Sequence, residues 1–218
     1  MTRAARTHAR PRVGVSQRVD AIPAREEHRD ALDVRLGQLL WSLGFLPLPL
    51  CSGVAEVPDE AAAYLEALQL DAVVLSGGND LGEQPGRDAL ERAALEHAAG
   101  HGLPVLGICR GAQMINVHQG GALERREGHA GTRHTVSGSL VGARREVNSY
   151  HDHVIPPEGL GAELEVAARA GDGTVEALSH ARLPWLGILW HPEREQPPKE
   201  DDRRLIDTHL RRTPGGST

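Results

Sequence analysis

The chain is poor in aromatic residues, 3% of 218, and holds only two cysteines, Cys51 and Cys109. Two cysteines make no disulfide framework, so a packed core must hold the fold, and a reducing, cytoplasmic setting is expected. No long apolar run is present. The most apolar window, residues 36–51, contains Gln38, two prolines and two glycines, which rules it out as a membrane span. The first twelve residues carry four arginines and no acid but lack the apolar segment of a secretory signal. There is no Walker-type loop and no dinucleotide-binding glycine pattern, so ATP-driven chemistry is excluded from the reading, and neither cofactor nor metal is expected. The formal charge of −6 argues against a nucleic-acid or anionic-membrane partner.

What is present is an ordinary globular composition, 39% hydrophobic and 25% charged. The length fits one domain, placed at residues 12–212 between disordered tails at 1–11 and 213–218. Strands are expected at 12–15, 45–50, 72–75 and 105–108, with helices at 30–43, 59–70 and 87–99 between them. The prolines of the second strand place it toward a sheet edge. Asp59 is the expected N-cap of the second helix, and Cys51 reads as a buried structural thiol. After residue 120 the pattern becomes short strands joined by glycine-rich turns, and 185–190 forms the last strand. The fold class is therefore α/β, a mostly parallel central sheet between helical layers, with an antiparallel extension after the helix that follows Cys109.

Cys109 carries the strongest signal. It ends the apolar run Val105–Ile108 and stands between Gly107-Ile108 and Arg110-Gly111, ahead of a helix-like stretch. This is the cysteine form of a nucleophile elbow, in which small neighbours permit a sharp strand-to-helix turn. A thiol at a helix N-terminus is favoured as thiolate. His191, at the end of the last strand, can hold the proton, and Glu193 can orient its ring. Gly77-Gly78, after the strand at 72–75, offers unencumbered backbone N–H groups. The N–H of Gly78 and that of Arg110 are the expected oxyanion donors, a device that stabilises a tetrahedral intermediate by about 3–4 kcal/mol. All three segments end at the carboxyl edge of the sheet, where α/β sites form.

Two polar regions admit more than one reading. Asn148-Ser149-Tyr150-His151-Asp152-His153 reads as a substrate-cradling strand end. The competing reading, a metal site from the His-x-His pair, lacks a third ligand at telling spacing and would need His129 and His134 to be brought in by folding. Arg125-Arg126, Arg133-His134 and Arg144-Arg145 read first as a solvated, ion-paired hairpin. Their functional alternative is an electropositive rim, with Arg133 and His134 facing a phosphate-bearing substrate.

These pieces together resemble the class I glutamine amidotransferase-like family, in its γ-glutamyl hydrolase branch. The likeness runs from Ser76-Gly77-Gly78-Asn79-Asp80 through Leu106–Gly111, Gln113, Asn116, Gly120-Gly121 and Val147–His151 to Trp190-His191-Pro192-Glu193. It implies a flavodoxin-like fold, Cys109 as nucleophile, His191 as base, Glu193 as its orienter and a γ-glutamyl thioester that water resolves. It implies that Gly77, Gln113 and the stretch Asn148, Ser149, Tyr150 and His151 surround the glutamyl group. The segment between Asp80 and Arg87 is shorter than in members acting on γ-glutamyl-γ-aminobutyrate, and His151 is followed by Asp152-His153 where a glutamine is usual. Gly128–His134 and Trp190–Glu195 are similar instead to a branch that hydrolyses a γ-glutamyl group from cytidine-diphosphate-linked glutamine. The implied partner is a small γ-glutamyl substrate. The resemblance leaves room for a homodimer, and for a synthetase partner if the chain is one that delivers ammonia.

Overall fold

The computed structural model describes residues 10–57 and 59–212. The expected tails fall outside them, except for Arg10 and Pro11. Arg10 is already engaged: its guanidinium stacks 3.7 Å from the Trp41 ring and donates to the Trp41 carbonyl at 2.8 Å.

Among the described residues, strands and helices alternate through the first half. β1 (Arg12–Val15) leads to a hairpin of β2 (Arg18–Ile22) and β3 (Glu27–Ala31), then α1 (Val34–Ser42), β4 (Leu46–Pro49), α2 (Glu60–Leu68), β5 (Ala72–Leu75), α3 (Pro85–His101), β6 (Val105–Ile108) and α4 (Arg110–His118). The second half runs β7 (Glu124–Arg125), β8 (Thr132–Gly138), β9 (Gly142–Ser149), β10 (His153–Val154), β11 (Leu164–Ala170), β12 (Val175–His180), β13 (Trp185–Ile188) and α5 (Glu200–Leu210). Nine of these strands form one sheet in the order β4-β1-β5-β6-β13-β12-β11-β8-β9. The first five are mutually parallel; β12, β11, β8 and β9 continue the sheet antiparallel. This is the expected architecture, with the proline-bearing β4 at the parallel edge.

Alternation along the buried strands divides the core into two layers. Ala72 and Val74 of β5, with Leu106 and Ile108 of β6, pack against Leu36, Leu39 and Leu40 of α1 and Ile206 and Leu210 of α5. Val73, Leu75 and Val105 face the other way, against Leu65 of α2, Leu90, Ala94 and Leu95 of α3 and Ile115 of α4. Helices on both faces leave the carboxyl edge of the parallel strands as the open rim.

Two local expectations fail. Asp59 takes the left-handed conformation (φ 64°) and makes no side-chain cap to α2. Cys51 is exposed rather than buried, because β4 ends before it at the sheet edge; its N–H donates to the Tyr64 hydroxyl at 3.1 Å. Among the described residues no helix is long and apolar enough to cross a membrane.

Candidate active site

Cys109 occupies the sharp turn between β6 and α4, with φ 52° and ψ −105°. A non-glycine residue there is strained, and such strain persists only where the surroundings impose it. They do so through close packing. Added side-chain carbons at Gly107 and Gly111 would fall 2.5 Å from the Gly111 carbonyl carbon and 2.1 Å from the Leu75 carbonyl oxygen. The flanking glycines thus let α4 press onto β6 and β5, and the turn between them has little freedom. The Cys109 N–H donates to Ile188 O of β13 at 2.7 Å, tying the elbow to the strand that delivers His191.

His191 is buried, and its Nδ1 lies 2.6 Å from Glu193 Oε1. Burial pushes the imidazole toward neutrality, but hydrogen bonds to Cys109 and Glu193 and the charges of both raise it, to about 9. The favoured state near neutrality is therefore an imidazolium between Cys109 and a carboxylate. Cys109, His191 and Glu193 are thus brought together.

Asn148 holds this histidine in place. Its Oδ1 accepts from the His191 N–H at 2.8 Å, and its Nδ2 donates to His191 O at 2.9 Å and to Glu195 Oε1 at 3.0 Å. Asn148 is therefore spent on positioning. Gln113 is likewise committed, donating to His153 O at 2.8 Å. His151 turns away toward Glu176 of β12. Ser149 is fully buried. Of the four residues from Asn148 to His151, Tyr150 is the exposed member. Its ring stands edge-on to His191 at 5.6 Å, beneath the Arg194 guanidinium at 4.4 Å.

The loop after β5 brings Gly77 against the His191 ring, and Gly78, at φ 86°, lies under the aliphatic part of Arg18. The β2–β3 hairpin that carries Arg18 is pinned to the loop by Asn79, which accepts from Val19 N at 2.8 Å and donates to Val19 O at 3.1 Å. Beneath the loop, the buried Arg87 guanidinium donates to the carbonyls of Ser76 (2.7 Å), Gly77 (3.1 Å) and Gly78. In a trans peptide the N–H points opposite to the carbonyl, so the Gly77 carbonyl bound to Arg87 aims the Gly78 N–H away from it. Burial pushes the Arg87 guanidinium down, opposed chiefly by Glu91, 2.9 Å away. Glu91 also accepts from Ser16 Oγ at 2.7 Å. The Arg110 side chain joins this network through Glu91 and Asp88. Its guanidinium is thus structural, while its backbone N–H opens α4, where amides lack intrahelical acceptors.

Arg87, Asp88 and Glu91 were not singled out from the sequence. Their signal was the i, i+4 pair of opposite charges on a helix entered from a glycine loop, which normally reads as a solvated face. The alternative reading, a phosphate rim, is not assembled. Arg133 pairs with Glu146 at 2.8 Å and Glu195 at 2.9 Å, Arg126 with Glu124 and Asp172, and Arg145 with Asp202. His134 turns to Glu176 at 3.2 Å. The ion-paired-hairpin reading describes these arginines.

Comparison with known proteins identifies the family and the fold. Residues 52–211 match the model of the glutamine amidotransferase class-I family. The chain is 35% identical to the γ-glutamyl-CDP-amidate hydrolase of Campylobacter jejuni over 84% of its own length and 90% of that protein's. It is 34% identical to anthranilate synthase component 2 of Mycobacterium tuberculosis, over 77% and 72% of the two chains. The crystal structure of a glutamine amidotransferase from Thermotoga maritima superimposes with a TM-score of 0.62 at 16% identity, covering 93% of this chain and 85% of that one. A second crystal structure, from Thermoplasma acidophilum, gives a TM-score of 0.70 at 21% identity, covering 93% and 94% of the two chains.

Proposed function

The chain belongs to the class-I glutamine amidotransferase family and is an enzyme of its hydrolase type, and from that premise we propose that it cuts a γ-glutamyl amide in a small molecule through a thioester on Cys109. The observation that carries this reading is the elbow cysteine beside an imidazole that Glu193 holds at 2.6 Å.

The thiolate of Cys109 attacks the γ-carbonyl carbon, and the oxygen that gains the electron pair lies between the N–H groups of Gly78 and Arg110. The C–N bond breaks as His191, an imidazolium, gives its proton to the leaving amine. The neutral imidazole then takes a proton from water, whose oxygen attacks the thioester. Collapse frees glutamate and restores the thiolate–imidazolium pair. Tyr150 borders the substrate, while Gly77 and Asn148 fix the histidine. A reducing, cytoplasmic setting suits such a thiolate.

The relative from Campylobacter, whose name specifies γ-glutamyl-CDP-amidate, supports a nucleotide-linked glutamine as substrate. Arg18, which is paired with Asp20 at 2.7 Å, and Arg194 are the cations beside Gly78 and Tyr150. A second reading, in which the chain delivers ammonia to a synthetase, is favoured by the similarity to anthranilate synthase component 2. Free glutamate released by the wild type and by Cys109→Ala, from glutamine, γ-glutamyl amides and a nucleotide-linked glutamine, separates the two. Cysteine-dependent release from one γ-glutamyl compound, with glutamine nearly untouched, supports the stand-alone hydrolase. Release from glutamine only after mixing with a synthetase contradicts it.

A further inference from the structure

Glu176 is a carboxylate with no exposed surface in an otherwise apolar stretch of β12, and neither of its oxygens makes a hydrogen bond. Three imidazoles surround it. His129 Nδ1 lies 3.6 Å from Oε1, His151 Nε2 lies 3.6 Å from the same oxygen, and His134 Nε2 lies 3.2 Å from Oε2. These three ring nitrogens are themselves buried and without hydrogen bonds. Ligand atoms of His129, His134 and Glu176 all lie within 4.8 Å of one another. His151 lies beside this group, its ring 5.1 Å from that of His129 and 6.4 Å from that of His134.

The outer partners fix which nitrogen faces inward. His129 Nε2 donates to Asp172 Oδ2 at 3.1 Å, and His151 Nδ1 donates to His153 O at 3.0 Å. Each of these two rings has therefore placed one N–H outward, and in its neutral form it turns a lone pair toward the Glu176 carboxylate. Acceptors facing an acceptor in a buried pocket repel unless a cation lies between them. The nitrogen–oxygen separations, 3.2–3.6 Å, are close to those around a single ion. Zinc holds imidazole nitrogen at about 2.0–2.1 Å in a tetrahedron, which sets neighbouring donor atoms about 3.3 Å apart. Carboxylate–histidine–metal relays of the Asp172–His129 kind, and backbone carbonyls on the outer imidazole nitrogen, are what hold metal-binding histidines in place. Asp172 is itself anchored by Thr174 Oγ1 at 2.7 Å and Thr174 N at 3.1 Å.

We propose that His129, His134, His151 and Glu176 form a structural site for one divalent transition-metal ion of the zinc class. Three nitrogens and one oxygen fit zinc or cobalt better than magnesium or calcium, which take oxygen ligands. With His151 Nε2, 3.6 Å from Oε1, drawn in as the fourth ligand the coordination would be closed, so the ion's work is mechanical. It clamps the segment before β8, β8 itself and the end of β9 to β12. Glu176 O accepts from Leu189 N at 2.9 Å, two residues before His191, and Tyr150 precedes His151. The clamp thus braces the wall on which Tyr150 meets His191. It is independent of the hydrolase reading, because no ligand belongs to the triad.

The test is metal analysis of the purified full chain, followed by chelator treatment and titration with Co2+ alone. One equivalent should bind with the visible absorption of tetrahedral cobalt, and the thermal midpoint should rise on refilling. Cys109→Ala should bind the same amount, which separates this claim from the fate of the proposed reaction. Asp172→Asn, at a partly exposed position outside the ligand set, should weaken binding roughly 10- to 100-fold, and Glu176→Gln should abolish the cobalt spectrum. A chelated chain that takes up no cobalt, or that binds it equally well in both ligand-region variants, overturns the site. So does a thermal midpoint that falls with rising pH yet ignores cobalt, which would mean that protons bridge the cluster.

Discussion

Gly77 lies so close to the His191 imidazole that a methyl group on its Cα would fall 2.6 Å from Cε1. The residue does not adopt positive φ, so alanine would be unstrained in its own backbone and would act by pushing the ring. Gly77→Ala is expected to lower kcat/KM by roughly 10²-fold, the cost of displacing a catalytic group by about 1 Å, with little change in the thermal midpoint. Steady-state glutamate release and a melting curve on the same preparation check this. Wild-type kcat/KM would mean that the ring position is not critical.

The raised pKa of His191, about 9, sets an alkaline limit. In the proposed reaction the leaving amine needs the imidazolium, so kcat/KM should hold from neutrality and fall as pH passes through about 9. The same shift stabilises the fold: its contribution is complete below the unfolded value of about 6.5 and is lost as pH rises from there through about 9, on the order of 3 kcal/mol in all. Glu193→Gln removes the carboxylate that supports the proton. Its pH–rate profile should turn down at least a unit earlier, and its unfolding free energy should vary less across that window. A profile identical to wild type would remove Glu193 from the account.

His209 acts in the opposite direction. It is buried under the sheet, its Nε2 donates to Val105 O at 2.9 Å, and burial lowers its pKa to about 4. The folded state cannot accept the proton that the unfolded chain takes up below about 6.5. Stability present above that value is therefore lost as pH falls toward about 4, by about 3 kcal/mol. His209→Gln can keep the donor and cannot titrate. Urea unfolding at pH 7 and pH 4.5 should show a smaller acid loss in the variant, and an unchanged loss would assign the acid sensitivity elsewhere.

Arg87 has no contact with the triad and still should matter to it. Arg87→Met strips three carbonyls of their donor and leaves Glu91 and Asp88 facing Arg110 alone. Breaking a buried ion pair from one side costs about 3–5 kcal/mol. The expected result is a urea midpoint lowered accordingly, with a fall in kcat and little change in KM, since the loop presenting the Gly78 N–H loses its backing. A variant as stable as the parent would show that the network is dispensable.

Much of the parallel half of the fold was legible in the sequence because its strands are short apolar runs with glycine or proline punctuation. β5 and β6 fall at 72–75 and 105–108 as read. The β2–β3 hairpin was not legible: Arg18–Ile22 and Glu27–Ala31 are largely charged, and of their residues only Val19 is buried. Asn79 and Asp30, through Ser52, hold the hairpin by polar contacts that no hydrophobic period announces. α5 was missed for a related reason: its first turn is Glu200, Asp201 and Asp202, and its apolar stripe reduces to Leu205, Ile206 and Leu210. The convergence of Cys109 and His191 was legible because elbow and histidine each end an apolar strand. The roles of Asn148 and His151 were not, because which partner a polar side chain takes depends on strands far apart in the chain.

The most direct test of the proposed chemistry is an acid quench during turnover of a γ-glutamyl amide, followed by peptide mass analysis. The account predicts a mass increment of one γ-glutamyl group on the peptide containing Cys109, appearing with substrate and absent from Cys109→Ala, which should release no glutamate above background. Full glutamate release by Cys109→Ala, with no adduct at any quench time in the wild type, would contradict the thioester and with it the central assignment.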